Sequence, residues 1–242
     1  MIRMRLYAGI ALCLVSVVVL SAADKRPTGA TDGNKYRDSL YGFVFEKYDN
    51  WKFGKVDNED PAKPRATRCI LTQKSVAVPT EYLENEDKFN VPAIGFFVDT
   101  SEMPLEAYAA DLADRKSKRP SRKELTKDFS ILGKGSFIDQ GPITIDGQRA
   151  IAQHYRQDYE VQLYNRLKDQ YSIKEDVMLG DLYLTKRGNT VYIIHLTCER
   201  AIYRTVNEEA KTIIMSVDFD PPVEDRSPTD STAGADSGAS GQ

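Results

Sequence analysis

The chain has 242 residues, 41% of them hydrophobic and 29% charged, with 13 Tyr, 9 Phe and 1 Trp. That is too apolar and aromatic for a disordered protein, and neither a collagen nor a coiled-coil period runs through it. A formal charge of −3 argues against a dedicated nucleic-acid binder, which carries a basic excess, and the length suits one domain with appendages.

The N-terminus reads as a secretory signal. Arg3 and Arg5 form a positive start, Leu6 to Leu20 is uncharged, and Ser21-Ala22-Ala23 offers small residues for cleavage before Asp24. The apolar run is short for a spanning helix, which needs about 20 residues. The alternative is an uncleaved N-terminal membrane anchor. Residues 1–23 are therefore expected to leave, with no transmembrane segment remaining. Residues 24–35, with Gly29 and Gly33, look like a flexible leader. Residues 36–219 form the expected single domain. Residues 220–242, rich in Pro, Ser, Gly and Asp and without an aromatic, read as a disordered acidic tail.

Within the domain, Tyr41-Gly42-Phe43-Val44-Phe45 and Trp51-Lys52-Phe53 read as strands around an Asp49-Asn50 turn. Cys69-Ile70-Leu71-Thr72 is a third strand. The nearly continuous apolar run Ala93 to Val98 suits a central strand covered on both faces. A helix follows Pro104, with Leu105, Tyr108, Ala109 and Leu112 on one face and Glu106, Asp111 and Asp114 on the solvated one.

Phe129 to Ile138, Pro142 to Ile145 and Gln148 to Tyr155 read as strands broken at Gln140-Gly141 and turned at Asp146-Gly147, a strong hairpin signal. Gly133-Lys134-Gly135 suggests a bulge. Residues 158–174 fit a strand, through Tyr159, Val161 and Leu163, as well as a helix, through Leu163, Tyr164, Leu167 and Tyr171. Asp181 to Thr185 and Thr190 to Thr197 flank Lys186-Arg187-Gly188-Asn189 as another hairpin. A last helix starts near Thr205, whose T-x-x-E spacing to Glu208 predicts a capping box, and Ser216 to Phe219 suits a closing strand. The expected class is α+β: an α/β/α sandwich with helices on a mainly antiparallel sheet.

In order, the opening Tyr41 to Phe45 with Trp51, the helix after a strand, the Gly147 hairpin into Arg149-Ala150-Ile151, Gly188 to Ile194, and Thr212 to Phe219 resemble the PsbP/Mog1-like family of small α/β sandwiches. They span most of residues 36–219. The proline usual before the tryptophan is replaced by Asp49-Asn50, and residues 158–176 are longer than the family's hairpin. The resemblance implies a non-catalytic module that binds or organises partners. It carries no site residue across.

Motifs for chemistry are sparse. There is no G-x-S-x-G, P-loop, G-x-G-x-x-G or H-E-x-x-H, and no catalytic residue, metal set or cofactor is assigned. His195 and Cys198, three apart on a strand, point to opposite faces and chelate poorly; a zinc site would need Cys69 and His154 as well. In an exported chain Cys69 and Cys198 suit a disulfide or two separate buried thiols. Arg115, Lys116, Lys118, Arg119, Arg122 and Lys123 place six cations in nine residues, which suits either an anionic envelope partner or a solvated helix end. The sequence thus reads as an exported, non-enzymatic binding or accessory module for a protein or envelope partner, with no nucleic acid. The alternative is a secreted hydrolase of unrecognised type.

Overall fold

The computed structural model describes residues 29–56, 66–117 and 136–220. The expected signal, the acidic tail beyond Asp220, the Gly133-Lys134-Gly135 bulge and most of the basic segment lie outside them; Asp220 itself pairs with Arg37 at 3.1 Å. In chain order the elements are β1 (Ala30–Asp32), β2 (Lys35–Asp38), β3 (Phe43–Glu46), β4 (Trp51–Phe53), β5 (Ala66–Gln73), two short 3-10 turns at Thr80–Tyr82 and Glu86–Lys88, β6 (Ala93–Thr100), α1 (Leu105–Ser117), β7 (Ser136–Ile145), β8 (Gln148–Asn165), β9 (Gln170–Arg187), β10 (Thr190–Glu199), α2 (Tyr203–Met215) and β11 (Asp218–Phe219).

Seven strands form one antiparallel sheet in the order β4-β5-β6-β10-β9-β8-β7, and four form a smaller one, β1-β2-β3-β11. The apolar run of β6 lies inside the large sheet, where both faces are covered, and β10 beside it is buried along nearly its whole length. On one face Phe97, Ile151, Leu182, Leu184 and Ile193 meet Leu105, Tyr108, Ala109 and Leu112, the predicted stripe of α1. On the other, Phe96, Tyr183, Ile194 and Leu196 meet Val206, Ala210, Ile213 and Ile214 of α2 together with Phe43 and Phe45 of β3. Thus the expected α/β/α layering holds only in part: the second outer layer is shared between α2 and the four-stranded sheet.

Two turns follow their sequences. Asp146 and Gly147 both take positive φ, 48° and 67°, as a two-residue primed turn requires, and Gly188 at 56° opens the Gly188-Asn189 turn between Arg187 and Thr190. Trp51 is fully buried, and its indole Nε1 donates to Glu209 Oε2 on α2 at 3.2 Å.

Four expectations change. Residues 30–35, read as part of a flexible leader, include β1 and the start of β2, which pair Thr31 with Tyr36; Tyr36 is buried and stacks on Phe45 at 5.1 Å, which anchors the hairpin to the core. Gln140-Gly141 does not break the chain, since β7 runs through it at the sheet edge, where Gly141 and Pro142 are tolerated. The ambiguous residues 158–174 form the end of one 18-residue strand, a turn at 166–169 and the start of a second 18-residue strand. The capping box at Thr205 does not form: α2 begins at Tyr203 after Ile202, which makes no side-chain cap. Tyr203 instead donates its hydroxyl to Asp181 Oδ2 at 2.7 Å, tying the helix start to the sheet.

Candidate functional site

Among the described residues the β8–β9 hairpin outruns its neighbouring strands. The register of β7 with β8 ends at Ser136–Arg156, while β8 and β9 stay paired from Ala150–Thr185 to Asn165–Gln170. Beyond Arg156 the hairpin is an arm, and alternation gives it two unlike faces.

One face is covered. Val161 and Leu163 pack with Tyr82 and Phe89 from the segment that holds the two 3-10 turns. Asn85 places its side-chain amide as a strand would: its Nδ2 donates to Tyr164 O and the Tyr164 amide donates to its Oδ1, both at 2.9 Å. Buried Tyr82 donates to Asp176 Oδ2 at 2.6 Å, and Lys174 Nζ reaches the same carboxylate at 2.7 Å and Glu81 at 3.1 Å. Burial works to raise the Asp176 pKa, but the hydrogen bonds from Lys174, Tyr82 and the Val177 amide outweigh it and hold the group below its usual range. At the base of the arm Tyr159 donates a short hydrogen bond to Glu199 Oε1, which also accepts from Asn90 Nδ2 at 2.6 Å. Burial, then the Glu199 carboxylate, push the Tyr159 phenol upward. Glu199 Oε2 is buried without a hydrogen-bond partner among the described residues.

Beyond its base, where Val177 is buried, no described element covers the other face. It carries Asp158, Glu160, Gln162 and Tyr164 from β8 and Tyr171, Ile173, Glu175 and Val177 from β9. The three most exposed large hydrophobic residues of the described chain lie here and at the tip: Leu167 at 94%, Ile173 at 71% and Tyr171 at 67%. Tyr164 and Tyr171 rings meet at 5.0 Å. Near the base, a groove of about 530 Å³ is lined by Arg156, Asp158, Glu160, Glu175, Val177 and Arg200 among others. Arg156 is committed to Asp158 Oδ1 through Nε at 2.9 Å and Nη2 at 2.8 Å.

A second polar group sits where β7, β8 and β9 are adjacent. Asp139, His154 and Asp181 occupy one cross-strand row. His154 Nδ1 lies 2.7 Å from Asp181 Oδ1, and its Nε2 lies 3.9 Å from Asp139. Tyr203 donates to the second oxygen of Asp181, so the carboxylate that fixes the orientation of the His154 ring is itself held in place. Among the described residues no hydroxyl or thiol is hydrogen-bonded to the His154 ring.

The residues singled out in the sequence are not brought together. His195 and Cys198 are buried on opposite faces of β10, as their spacing dictates. Cys69 and Cys198 are both free buried thiols. The disulfide expectation fails on register: Cys69 pairs with Phe96, Phe96 with Ile194, and Cys198 lies four residues further along. Two strand spacings and four residues of rise separate the Cα atoms by about 16 Å, whereas a bridge needs less than about 7 Å. Burial, followed by the Glu199 and Asp181 carboxylates, pushes the Cys198 thiol up to about 12. Burial also raises the Cys69 thiol. Of the basic segment, Arg115 to Ser117 form the last residues of α1, and the remaining cations lie outside the described residues. The arm face was not singled out as a site, although the apolar side chains of residues 158–174 were its one signal. No three His, Cys, Asp or Glu side chains among the described residues converge as a metal set, and no described helix is long and apolar enough to cross a membrane.

No family model and no curated protein matches the chain. Among solved structures it is similar to cyanobacterial PsbP (CyanoP) from Synechocystis sp. PCC 6803, at 14% identity and a TM-score of 0.47, over 79% of this chain and 98% of that one. It is also similar to LpqN, involved in cell envelope biogenesis of Mycobacterium tuberculosis, at 12% identity and a TM-score of 0.41, over 80% and 90% of the two chains. No residue role is carried over from these likenesses.

Proposed function

We propose that the chain is an exported, non-catalytic binding module that engages a protein partner through the uncovered face of its β8–β9 arm. The observation that carries this reading is the concentration of exposed Leu167, Tyr171 and Ile173 on an element that, among the described residues, outruns its neighbouring strands. Such side chains cost hydration when bare, and their clustering at one place marks a contact surface. The opposite face of the same hairpin is held by Tyr82, Phe89 and Asn85, so the arm presents its apolar side chains from a fixed platform. The hydrolase alternative has less behind it: among the described residues no hydroxyl or thiol is hydrogen-bonded to His154.

The test is a variant carrying Leu167→Ser, Tyr171→Ser and Ile173→Ser. Exposed substitutions of this kind should each leave stability within about 0.5 kcal/mol. Chemical crosslinking in the native envelope should yield a wild-type adduct that this variant loses. An adduct unchanged in the variant defeats the reading. Export is part of the same proposal and predicts an intact mass starting at Asp24. The six cations within residues 115–123 suit a second, purely electrostatic contact with an anionic envelope surface. Retention of the wild type on heparin or anionic vesicles should fall steeply with salt, and replacing Lys118, Arg119, Arg122 and Lys123 by Ser should abolish it. No retention at low salt would remove that contact.

A further inference from the structure

Glu160 and Glu175 stand directly opposite one another in the β8–β9 register, both exposed on the uncovered face. Like charges in directly opposed cross-strand positions destabilise a hairpin. Neither carboxylate has an ion-pair partner among the described residues, and Arg156, the nearest cation along β8, is held by Asp158. Lys174, the cation next to Glu175 in sequence, is on the covered face with Asp176 and Glu81. Arg200 lines the same groove without an ion pair to either glutamate among the described residues, so the face keeps an acid-rich rung at its base, followed by the Gln162–Ile173 rung and the Tyr164–Tyr171 pair.

Resting on the proposed role of the arm, we infer that its partner is a protein segment that is cationic and apolar in alternation. Successive rungs on one face are about 6.6 Å apart, two residues of strand rise. An extended segment laid along the arm would put a lysine or arginine over Glu160 and Glu175. Apolar side chains two and four positions further on would then meet Ile173 and the Tyr164–Tyr171 pair. The cation removes the repulsion between the two glutamates, and the apolar side chains cover the exposed ones. A second copy of this chain is a poorer occupant, because its own arm offers the same paired acids.

The probe is a synthetic peptide with lysine, leucine and leucine at alternate positions separated by serines, titrated into the full chain and read by fluorescence anisotropy. The control peptide has glutamate in place of lysine. Wild type should bind the basic peptide and not the acidic one. Glu160→Gln with Glu175→Gln should weaken binding about fivefold at low salt, an effect that vanishes in high salt. Ile173→Ser should weaken it at every salt concentration. Removing two opposed charges relieves strain, so the double variant should unfold no more easily than wild type, which separates lost binding from lost folding. No binding of the basic peptide to wild type overturns the inference. If the double variant binds normally while Ile173→Ser does not, the cationic partner is wrong and the arm surface stands. If neither variant changes binding, the arm reading fails with it. Retention of wild type on phosphatidylglycerol vesicles, lost on Leu167→Ser, would overturn a protein partner in favour of a lipid surface.

Discussion

Asp38 and Arg68 join the two sheets, and removing the carboxylate gives the most demanding test of the architecture. Asp38 lies on β2 and Arg68 on β5; their side chains are 0% and 3% exposed, and Arg68 Nε donates to Asp38 Oδ2 at 2.6 Å. Tyr36 donates its hydroxyl to the Arg68 carbonyl at 2.7 Å, with Asp38 Oδ2 also 3.2 Å from the same hydroxyl oxygen. The other oxygen, Oδ1, accepts from the amides of Leu40 and Tyr41 at 3.1 and 3.0 Å, closing the turn into β3. Asp38→Ala strips the buried guanidinium of its carboxylate, which costs about 3–5 kcal/mol. That is a large share of the roughly 5–15 kcal/mol that holds a domain folded. At about 2–4 °C per kcal/mol for a domain of this size, the melting temperature should fall by roughly 6–20 °C. Urea unfolding of the chain measures the loss directly. Asp38→Leu with Arg68→Met should recover much of it, since a well-packed apolar pair often replaces a buried ion pair without loss. A loss below about 1 kcal/mol for Asp38→Ala would show that the pair does not join the sheets.

Two further predictions follow from the same geometry. Neither Cys69 nor Cys198 should react with a thiol reagent at neutral pH in the native chain, and both should react after unfolding without a reductant; an unreactive denatured chain would mean that they are bridged after all. The arm should also loosen at low pH. The folded-state pKa of Asp176 lies below 3.8, so its contribution is fully present above 3.8 and is lost as pH falls through the lower folded value. Lys174 has its pKa raised above 10.5, because hydrogen bonds to Asp176 and Glu81 outweigh the opposing effect of burial; its contribution lasts until pH rises beyond that. Urea unfolding of wild type and Asp176→Asn should therefore differ at pH 7, and the gap should narrow as the pH falls below 3.8. A gap that stays constant or widens as the pH is lowered below 3.8 would contradict this.

Local rules were sufficient where a contact is local. The i, i+3, i+4, i+7 stripe of α1, the Asp146-Gly147 turn and the apolar run of β6 all depend on a few consecutive residues, and each folds as its sequence indicates. Residues 158–174 were ambiguous because Leu163, Tyr164, Leu167 and Tyr171 fit a helical stripe. The stripe divides in the structure, with Leu163 buried and Leu167 the most exposed of the large apolar residues. What decides it is distant pairing with β9 and cover from Tyr82 and Phe89, neither visible in the segment itself. The same holds for the thiols, whose separation follows from register across three strands, and for α2, whose Thr205 capping signal is overridden by the Tyr203–Asp181 bond. The paired glutamates could be seen only once β8 and β9 were aligned residue by residue.

The arm is the centre of this account, and a photo-crosslinking residue placed at Ile173 tests it most directly. A matching label at Glu106, exposed on α1, serves as the control. Illumination in the native envelope should give a discrete protein adduct from position 173 and none from position 106. The adduct should map to a lysine- or arginine-bearing segment of the partner. Equal labelling from both positions, or adducts to lipid alone, would contradict it.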